Sequence, residues 1–366
     1  HCYTEHSNDV CAIFFTVKKF LKMSLLPSTF VKGIHDEELS KRMEYRTLGR
    51  TGLQVSKVSL GTATLSDLYG ELDLDDAIAM IHKAIKAGIN YIDTAPYYGQ
   101  GRAEEVLGMA LKTVPRQAYY IATKVGRYEK DLVKRFDFSA KRTRESVEKS
   151  LKLLGIEYVD IIQVHDIDFA KDLDVVVNEC LPELVKIVKE GKARFIGITS
   201  YNLEVLKECV KRAPCVDTIL SYSRHTLLDD TLKGYVNFFQ QHNIGVVCAS
   251  AHALGLLTNA GPQSWHPVVD DVKAICSKAA KICKEANIEL GKLAMYQFMQ
   301  LEGASTFLVG METCKLLDIN LAAYYKGLSK KEMEILQQLR ATLFTKSYNW
   351  DGVEIEEYRR ALSNAK

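Results

Sequence analysis

The feature that most constrains the fold is an eightfold alternation of short apolar runs and amphipathic helical stretches that begins near residue 57. The apolar runs are nearly continuous and rich in β-branched residues, which is typical of strands buried on both faces of a parallel sheet. The predicted strands are residues 57–62, 90–95, 119–125, 159–166, 195–200, 218–222, 245–250 and 306–311. The predicted helices are residues 75–87, 103–112, 140–154, 178–189, 203–211, 231–241, 272–285 and 314–325.

Eight strand–helix units predict an α/β fold, the (β/α)8 TIM barrel, with a C-terminal helical tail. A doubly wound sheet also alternates strand and helix. The count of eight favours the barrel, as does the recurrence of polar residues at successive strand ends. The tail follows Leu328 and contains Trp350, and the sequence does not indicate which end of a barrel it would cover.

The chain is predicted to form one barrel domain, residues 43–366, preceded by an N-terminal extension, residues 1–42, that is disordered or not native. The apolar run 10–17 in that extension is far shorter than the ~20 residues of a membrane span. Acidic residues precede it where a secretory signal would carry basic ones. Deletion of residues 1–42 is therefore expected to leave folding and activity unchanged.

Composition and charge exclude several classes of protein. The 48 Lys+Arg residues nearly balance the 46 Asp+Glu residues, which argues against a partner bound through its phosphates, as nucleic acids are. A hydrophobic fraction of 47% is too high for a disordered chain. The nine cysteines are scattered without metal-binding spacing, which indicates reduced thiols, no metal site and a cytoplasmic location. No run predicts a membrane span, and a monomer is expected.

One glycine-rich segment, residues 99–104, partly matches the dinucleotide-binding pattern G-x-G-x-x-G. The third glycine is replaced by Glu104, although that position must be small for close helix–strand packing. We interpret the segment as a glycine-rich turn. Walker A, G-x-S-x-G and H-E-x-x-H patterns do not occur in the sequence.

Four polar residues fall at or just after the ends of predicted strands, where a barrel carries its chemistry. Asp93, Lys124 and His165 end the second, third and fourth strands, and Tyr98 follows the second. Taken singly, each has a structural explanation, such as a capped turn or a solvated loop lysine. Together they indicate a site, because a partly buried lysine needs a carboxylate and a nearby lysine lowers the pKa of a phenol toward neutrality.

Several motifs in residues 44–326 resemble the aldo-keto reductase family. They are the runs 45–52 (YRTLGRTG), 93–99 (DTAPYYG), 122–124 (ATK) and 163–166 (QVHD). Three further stretches, residues 219–222, 255–258 and 261–267, bring the resemblance closest to the sugar dehydrogenases of that family.

The resemblance implies a hydride transfer between a nicotinamide and a carbonyl or alcohol substrate, such as an aldose oxidised to its lactone or an aldehyde or ketone that is reduced. It makes Tyr98 the acid and base and Lys124 the group that tunes the pKa of Tyr98. Asp93 would hold the lysine, and His165 would orient the substrate oxygen. Asp166, Trp265 and Trp350 are candidates for the pocket lining, although each has a structural explanation as well.

The resemblance also implies the cofactor contacts. These are Gly61, Thr62, Asp93, Thr199, Ser200, Ser221, Ser250, Gly255, Leu256, Gly310, Met311, Lys315 and Asn320. Leu316 and Ile319 stand where many NADPH-using relatives carry Arg and Glu, whereas Lys315 can still meet a 2′-phosphate as a point charge. NAD and NADP both remain open.

Two alternatives come from other classes of function. A barrel that binds nicotinamide without catalysis could act as a regulatory subunit, but the intact set of four polar residues argues against it. A barrel aldolase could use Lys124 as a Schiff-base amine, which borohydride trapping with a carbonyl substrate would reveal.

Overall fold

The computed structural model describes residues 26–365, and its centre is a closed barrel of eight parallel strands. The barrel strands are β1 (Val58–Gly61), β2 (Tyr91–Asp93), β3 (Tyr120–Val125), β4 (Val159–Val164), β5 (Ala193–Ser200), β6 (Thr218–Tyr222), β7 (Gly245–Ala249) and β8 (Thr306–Gly310). Strand β8 closes the barrel by pairing with β1, from Phe307 opposite Val58 to Gly310 opposite Gly61. The predicted (β/α)8 fold is confirmed.

Helices surround the barrel and bury their apolar faces against its strands. The α-helices between strands, and after β8, are Leu74–Lys86, Arg102–Leu111, Ala140–Leu154, Leu173–Val175, Leu181–Lys189, Leu203–Arg212, Lys233–Gln241, Asp270–Glu285, Leu290–Phe298 and Cys314–Lys326. Short 3-10 turns are Gly49–Thr51, Ala63–Leu65, Tyr98–Gly101, Arg116–Ala118, Ile167–Phe169 and Ala253–Gly255. A π-helical turn, Val176–Cys180, lies just before Pro182, which lacks a backbone N–H to donate to the preceding turn.

The N-terminal end of the barrel is covered by residues that precede β1. An antiparallel hairpin, Tyr45–Thr47 with Gln54–Ser56, places Leu48, Leu53 and Val55 beneath the apolar interior of the barrel. At the tip of the hairpin, a Cβ added to Gly49 would lie 2.2 Å from the backbone nitrogen of Gly245. Glycine is therefore required for this close approach.

The structure differs from our expectation for residues 26–42, which pack on the barrel. The helix Glu37–Arg42 starts at Asp36, whose side chain accepts from the N–H of Leu39 and whose own N–H donates to the Lys86 carbonyl. Thr29 and His35 are buried, and His35 Nε2 lies 3.2 Å from the Ala118 carbonyl oxygen. These contacts bury polar groups of the segment, so this part of the predicted extension belongs with the barrel. The prediction for residues 1–25 lies outside the described residues.

The C-terminal tail forms helices Lys330–Thr342 and Val353–Asn364 and covers the carboxyl end of the barrel strands. Trp350 lies between the helices, is buried, and tilts against Tyr201 at 4.8 Å between ring centroids. The backbone N–H of Trp350 donates to the hydroxyl of Tyr201, the residue that follows β5. The tail therefore reaches the end of the barrel at which chemistry is expected.

Among the described residues, no helix is both long and apolar enough to cross a membrane.

Candidate active site

The four residues predicted to carry the chemistry lie together at the carboxyl end of the barrel. The Lys124 ammonium forms an ion pair with Asp93, and both side chains are almost fully buried. Lys124 Nζ also donates to the Thr94 carbonyl at 2.8 Å and to the Tyr98 hydroxyl at 3.3 Å. The His165 ring stands edge-on to the Tyr98 ring, with 5.8 Å between centroids. One phenol thus lies between an ammonium and an imidazole.

The barrel itself sets this arrangement, because parallel pairing brings strand ends to the same height. Lys124 of β3 lies opposite Gln163 of β4, and Gln163 Nε2 donates to the second oxygen of Asp93 at 2.7 Å. Tyr98 follows β2 in a tight turn at Gly99, which has φ of +64°. A Cβ on Gly99 would lie 2.9 Å from that of Ser66, so the turn requires glycine there. Residues 99–104 were interpreted as a glycine-rich turn, and the structure has a turn there. Glu104 is buried and accepts a hydrogen bond from the Thr123 hydroxyl.

The charges around Tyr98 act on its pKa in opposite directions. Burial raises the pKa, the Lys124 ammonium lowers it, and the net direction is upward. We expected Lys124 to bring the phenol toward neutrality, but in this structure desolvation outweighs the ammonium. Burial alone would lower the pKa of Lys124, yet the Asp93 charge reverses this and the net shift is upward. Lys124 therefore remains a cation beside the phenol.

His165 is a neutral imidazole at this position. Burial lowers its pKa to about 3, against the opposing effect of the Asp166 carboxylate. Its Nδ1 is buried without a hydrogen-bond partner among the described residues. A neutral ring can donate or accept one hydrogen bond toward a substrate oxygen.

A cavity of about 620 Å³ opens over these residues. Nine of the predicted site residues line it, namely Gly61, Thr62, Asp93, Tyr98, Lys124, His165, Thr199, Ser250 and Gly310. The other seven, Ser200, Ser221, Gly255, Leu256, Met311, Lys315 and Asn320, do not belong to its lining. Leu256 and Met311 are fully buried in the core, and Lys315 is exposed. The predicted cofactor contacts stay predictions.

Of the three candidates for the pocket lining, two line the cavity and one does not. Asp166 is buried and forms an ion pair with Arg127 at 2.6 Å. Trp265 is 42% exposed, and its ring meets that of Tyr69 edge to face at 5.6 Å across the cavity mouth. Trp350 lies instead in the core beneath the tail.

Several residues of the site carried no prediction. Gln163 had a usable signal, since it lies two residues before His165 and therefore on the same face of a strand. Arg127 and Glu354 also line the cavity. Glu354 belongs to the C-terminal tail, and the sequence motifs did not indicate which end of the barrel that tail covers.

The cavity has polar groups along its lining that can hold a nicotinamide. It runs from Tyr98 and Lys124 to Gly61, Ser250 and Gly310. Beside it, Ser221 of β6 lies opposite Ser200 of β5, and the Ser221 hydroxyl is buried without a partner among residues 26–365. A carboxamide is the kind of group that such a hydroxyl can bind. In the same range, no three His, Cys, Asp or Glu side chains cluster in a way that could hold a metal ion.

Comparison with known proteins agrees with this geometry. The model of the Aldo/keto reductase family matches residues 57–341. L-galactose dehydrogenase from Arabidopsis thaliana is 41% identical over 286 residues, which cover 77% of this chain and 88% of that enzyme. D-arabinose 1-dehydrogenase from Saccharomyces cerevisiae is 28% identical, over 81% of this chain and 92% of that enzyme.

A solved structure of an aldo-keto reductase from Bacillus halodurans, in its holo form, superposes with a TM-score of 0.64 and 28% identity. The match covers 81% of this chain and 96% of that one. The resemblance predicted from the motifs is confirmed.

Proposed function

Because this chain belongs to the aldo/keto reductase family and is an NAD(P)-dependent oxidoreductase, we propose that its substrate is an aldose, oxidised at C1 to the lactone. L-galactose is the first candidate, because the relative that acts on it by name is 41% identical. Other aldoses follow, since D-arabinose 1-dehydrogenase is also similar. Reduction of aldehydes or ketones by the same groups is the reverse chemistry.

The observation that carries the proposal is the contact of Lys124 Nζ with the Tyr98 hydroxyl at 3.3 Å, within a site that also holds Asp93 and His165. A phenol that gains or loses a proton needs a nearby charge to stabilise its phenolate, and the lysine supplies it. Asp93 and the Thr94 carbonyl keep the ammonium in place.

In the proposed oxidation, the C1 hydroxyl of the sugar lies between Tyr98 and His165. The neutral His165 orients that oxygen through a hydrogen bond. Tyr98 takes its proton once the phenol is ionised, and the Lys124 ammonium stabilises that phenolate against the raised pKa of Tyr98. A nicotinamide bound in this cavity would supply the acceptor for the hydride that leaves C1. In the direction of reduction, Tyr98 donates the proton to the carbonyl oxygen, for which its raised pKa keeps it protonated.

The choice between NAD and NADP is part of the test. Lys315 is exposed near the start of the helix Cys314–Lys326, where it can approach a 2′-phosphate. No bidentate arginine accompanies it at Leu316, which weakens the case for NADP.

Nicotinamide absorbance with the purified chain tests the proposal. L-galactose and other aldoses are supplied with NAD or NADP, and aldehydes or ketones with NADH or NADPH. We expect aldose oxidation that Tyr98→Phe lowers roughly 10²–10⁴-fold. The cofactor affinity of Tyr98→Phe, measured by fluorescence titration, should remain near the wild-type value because only the transferable proton is lost.

Tyr235→Phe is the matched control, since it removes a phenolic hydroxyl that lies on the surface and contacts Glu204. Wild-type turnover by Tyr98→Phe would refute the role of that residue. Tight cofactor binding with no turnover of any substrate would favour the non-catalytic barrel instead.

We also propose a cytoplasmic location and a monomer. All seven cysteines within the described range are free thiols, and five of them are buried, which suits a reducing compartment. Fractionation of cells and light scattering of the purified chain would test the two proposals.

A further inference from the structure

The cavity holds a second group of charged side chains that hydride and proton transfer do not require. Asp166 follows His165 directly, and its Oδ2 lies 3.7 Å from His165 Nε2. Arg127 donates to the same oxygen at 2.6 Å, and its guanidinium lies over the Tyr97 ring at 4.0 Å. Glu354, from the tail helix Val353–Asn364, lines the same cavity.

Asp166 is held in place at a cost to folding. Its φ of +52° lies in the left-handed region, which costs a residue other than glycine free energy, although aspartate adopts it more readily than most. Its N–H donates to the Thr199 hydroxyl at 2.9 Å, and that hydroxyl lies 3.2 Å from Asp166 Oδ1. A strained backbone and a buried ion pair at one position indicate a functional constraint, because neither stabilises a fold efficiently.

Glu354 contributes a carboxyl group to the cavity lining from the tail. Within residues 26–365, it forms no ion pair with a lysine or arginine at 4.0 Å or less. It is half-buried, and burial raises the pKa of its carboxyl, with the charges of Arg127 and Arg135 opposing that shift. Glu354 thus adds to the cavity lining a carboxyl group that no ion pair of 4.0 Å or less among the described residues occupies.

These groups have the chemistry that recognises several hydroxyls at once. A guanidinium donates in a planar fork, carboxylates accept, and each sugar hydroxyl can do both. Aromatic rings of Tyr97, Tyr222 and Trp265 line the same space and can cover the apolar faces of a sugar ring. A simple aldehyde has no hydroxyls to satisfy these charges.

We propose that Arg127, Asp166 and Glu354 form a hydroxyl-binding subsite that selects polyhydroxylated substrates, with Glu354 as the specificity-determining residue contributed by the tail. This inference rests on the proposed oxidation of an aldose. The subsite accounts for three of the charged residues that line the cavity and that the four proposed catalytic residues leave unused.

The test compares Glu354→Gln with wild type on two substrates. L-galactose oxidation reports the subsite, and reduction of 4-nitrobenzaldehyde reports the hydride and proton transfer alone. We expect the ratio of kcat/KM for sugar to kcat/KM for aldehyde to fall roughly 10- to 100-fold, as for the loss of a hydrogen bond to a charged group. Glu356→Gln is the matched control, because Glu356 is exposed on the same helix and does not line the cavity.

A second variant, Arg127→Lys, keeps the charge beside Asp166 but removes the fork, and should lower the same ratio. Circular dichroism melting and cofactor titration of each variant separate misfolding from loss of binding. A ratio unchanged in both variants, or an equal loss with both substrates, would overturn the inference while wild-type oxidation of aldoses stands. A wild-type enzyme that oxidises no aldose would overturn the proposed function and this inference together.

Discussion

Replacement of Asp93 by Asn should destabilise the protein in a way that depends on pH, because it removes the charge that neutralises Lys124. Both side chains are buried, with 1% of Lys124 and 2% of Asp93 exposed. Removal of one partner from a buried ion pair costs about 3–5 kcal/mol of unfolding free energy, since the other charge is left uncompensated. The Thr94 carbonyl still accepts from Lys124 at 2.8 Å, so the lower part of that range is expected.

The pH dependence follows from the pKa of Lys124. In the wild type, Asp93 holds that pKa above its ordinary value despite burial. In Asp93→Asn, Tyr98 is left as the main group that opposes burial, and we expect burial to lower the pKa of Lys124 in the folded state below the ~10.4 of an unfolded lysine. Between these two pKa values the unfolded chain binds more protons than the folded one, so the stability of the variant rises with pH. The rise approaches about 1.4 kcal/mol per pH unit.

Urea unfolding at several pH values between about 7 and 10 measures this effect, as the difference in unfolding free energy between wild type and variant. We expect the difference to shrink as the pH rises. The double variant Asp93→Asn/Lys124→Met is the control, because without the buried amine it should show no such slope. A difference that stays constant across this range would refute the idea that an uncompensated Lys124 causes the loss.

Two further predictions concern the tail and the histidine. Trp350→Ala should release the tail, because truncation of a buried tryptophan costs about 3–5 kcal/mol of unfolding free energy. We expect faster tryptic cleavage beyond Leu328 and a higher KM for aldoses, with the cofactor affinity unchanged. Equal rates of cleavage in the variant and the wild type would contradict this prediction. His165, with its pKa lowered to about 3, stays neutral across the working range. The pH profile of kcat/KM should therefore show no histidine limb near the ordinary histidine pKa of about 6.5. A limb there that vanishes in His165→Gln would contradict this.

The barrel could be predicted from the sequence because each strand and helix shows its own local pattern. The runs that became β3 and β4 are mainly apolar and are buried on both faces, and helices such as Ala140–Leu154 end at a glycine in the left-handed conformation. Asp93, Lys124 and His165 could be predicted as site residues for the same reason, since each lies at the end of such a run. The helix Glu37–Arg42 also had a local signal in Asp36 and the acidic residues after it, which the prediction for residues 1–42 did not use.

Other parts of the site depend on packing that no local pattern encodes. Arg127 and Glu354 are separated by more than two hundred residues, and only the course of the tail brings Glu354 to the cavity. The sequence also could not predict the direction in which the pKa of Tyr98 shifts. It depends on how completely the phenol is buried relative to its distance from Lys124, and both quantities arise from the closed barrel.

The position of the tail means that the residues proposed for proton transfer and the residue proposed for substrate preference lie in different parts of the chain. The groups that we propose to move protons lie on β2, β3 and β4 or just after them, at the carboxyl end of the barrel. The wall that holds Glu354 belongs to the last helix, which packs through Tyr358 on the rings of Phe136 and Phe169. A new preference for one sugar over another can therefore arise by exchange of the last residues of the chain, with the catalytic strands inherited intact. Exchange of tails between related barrels offers a modular route to new sugar dehydrogenases, and an affinity tag is better placed at the other terminus.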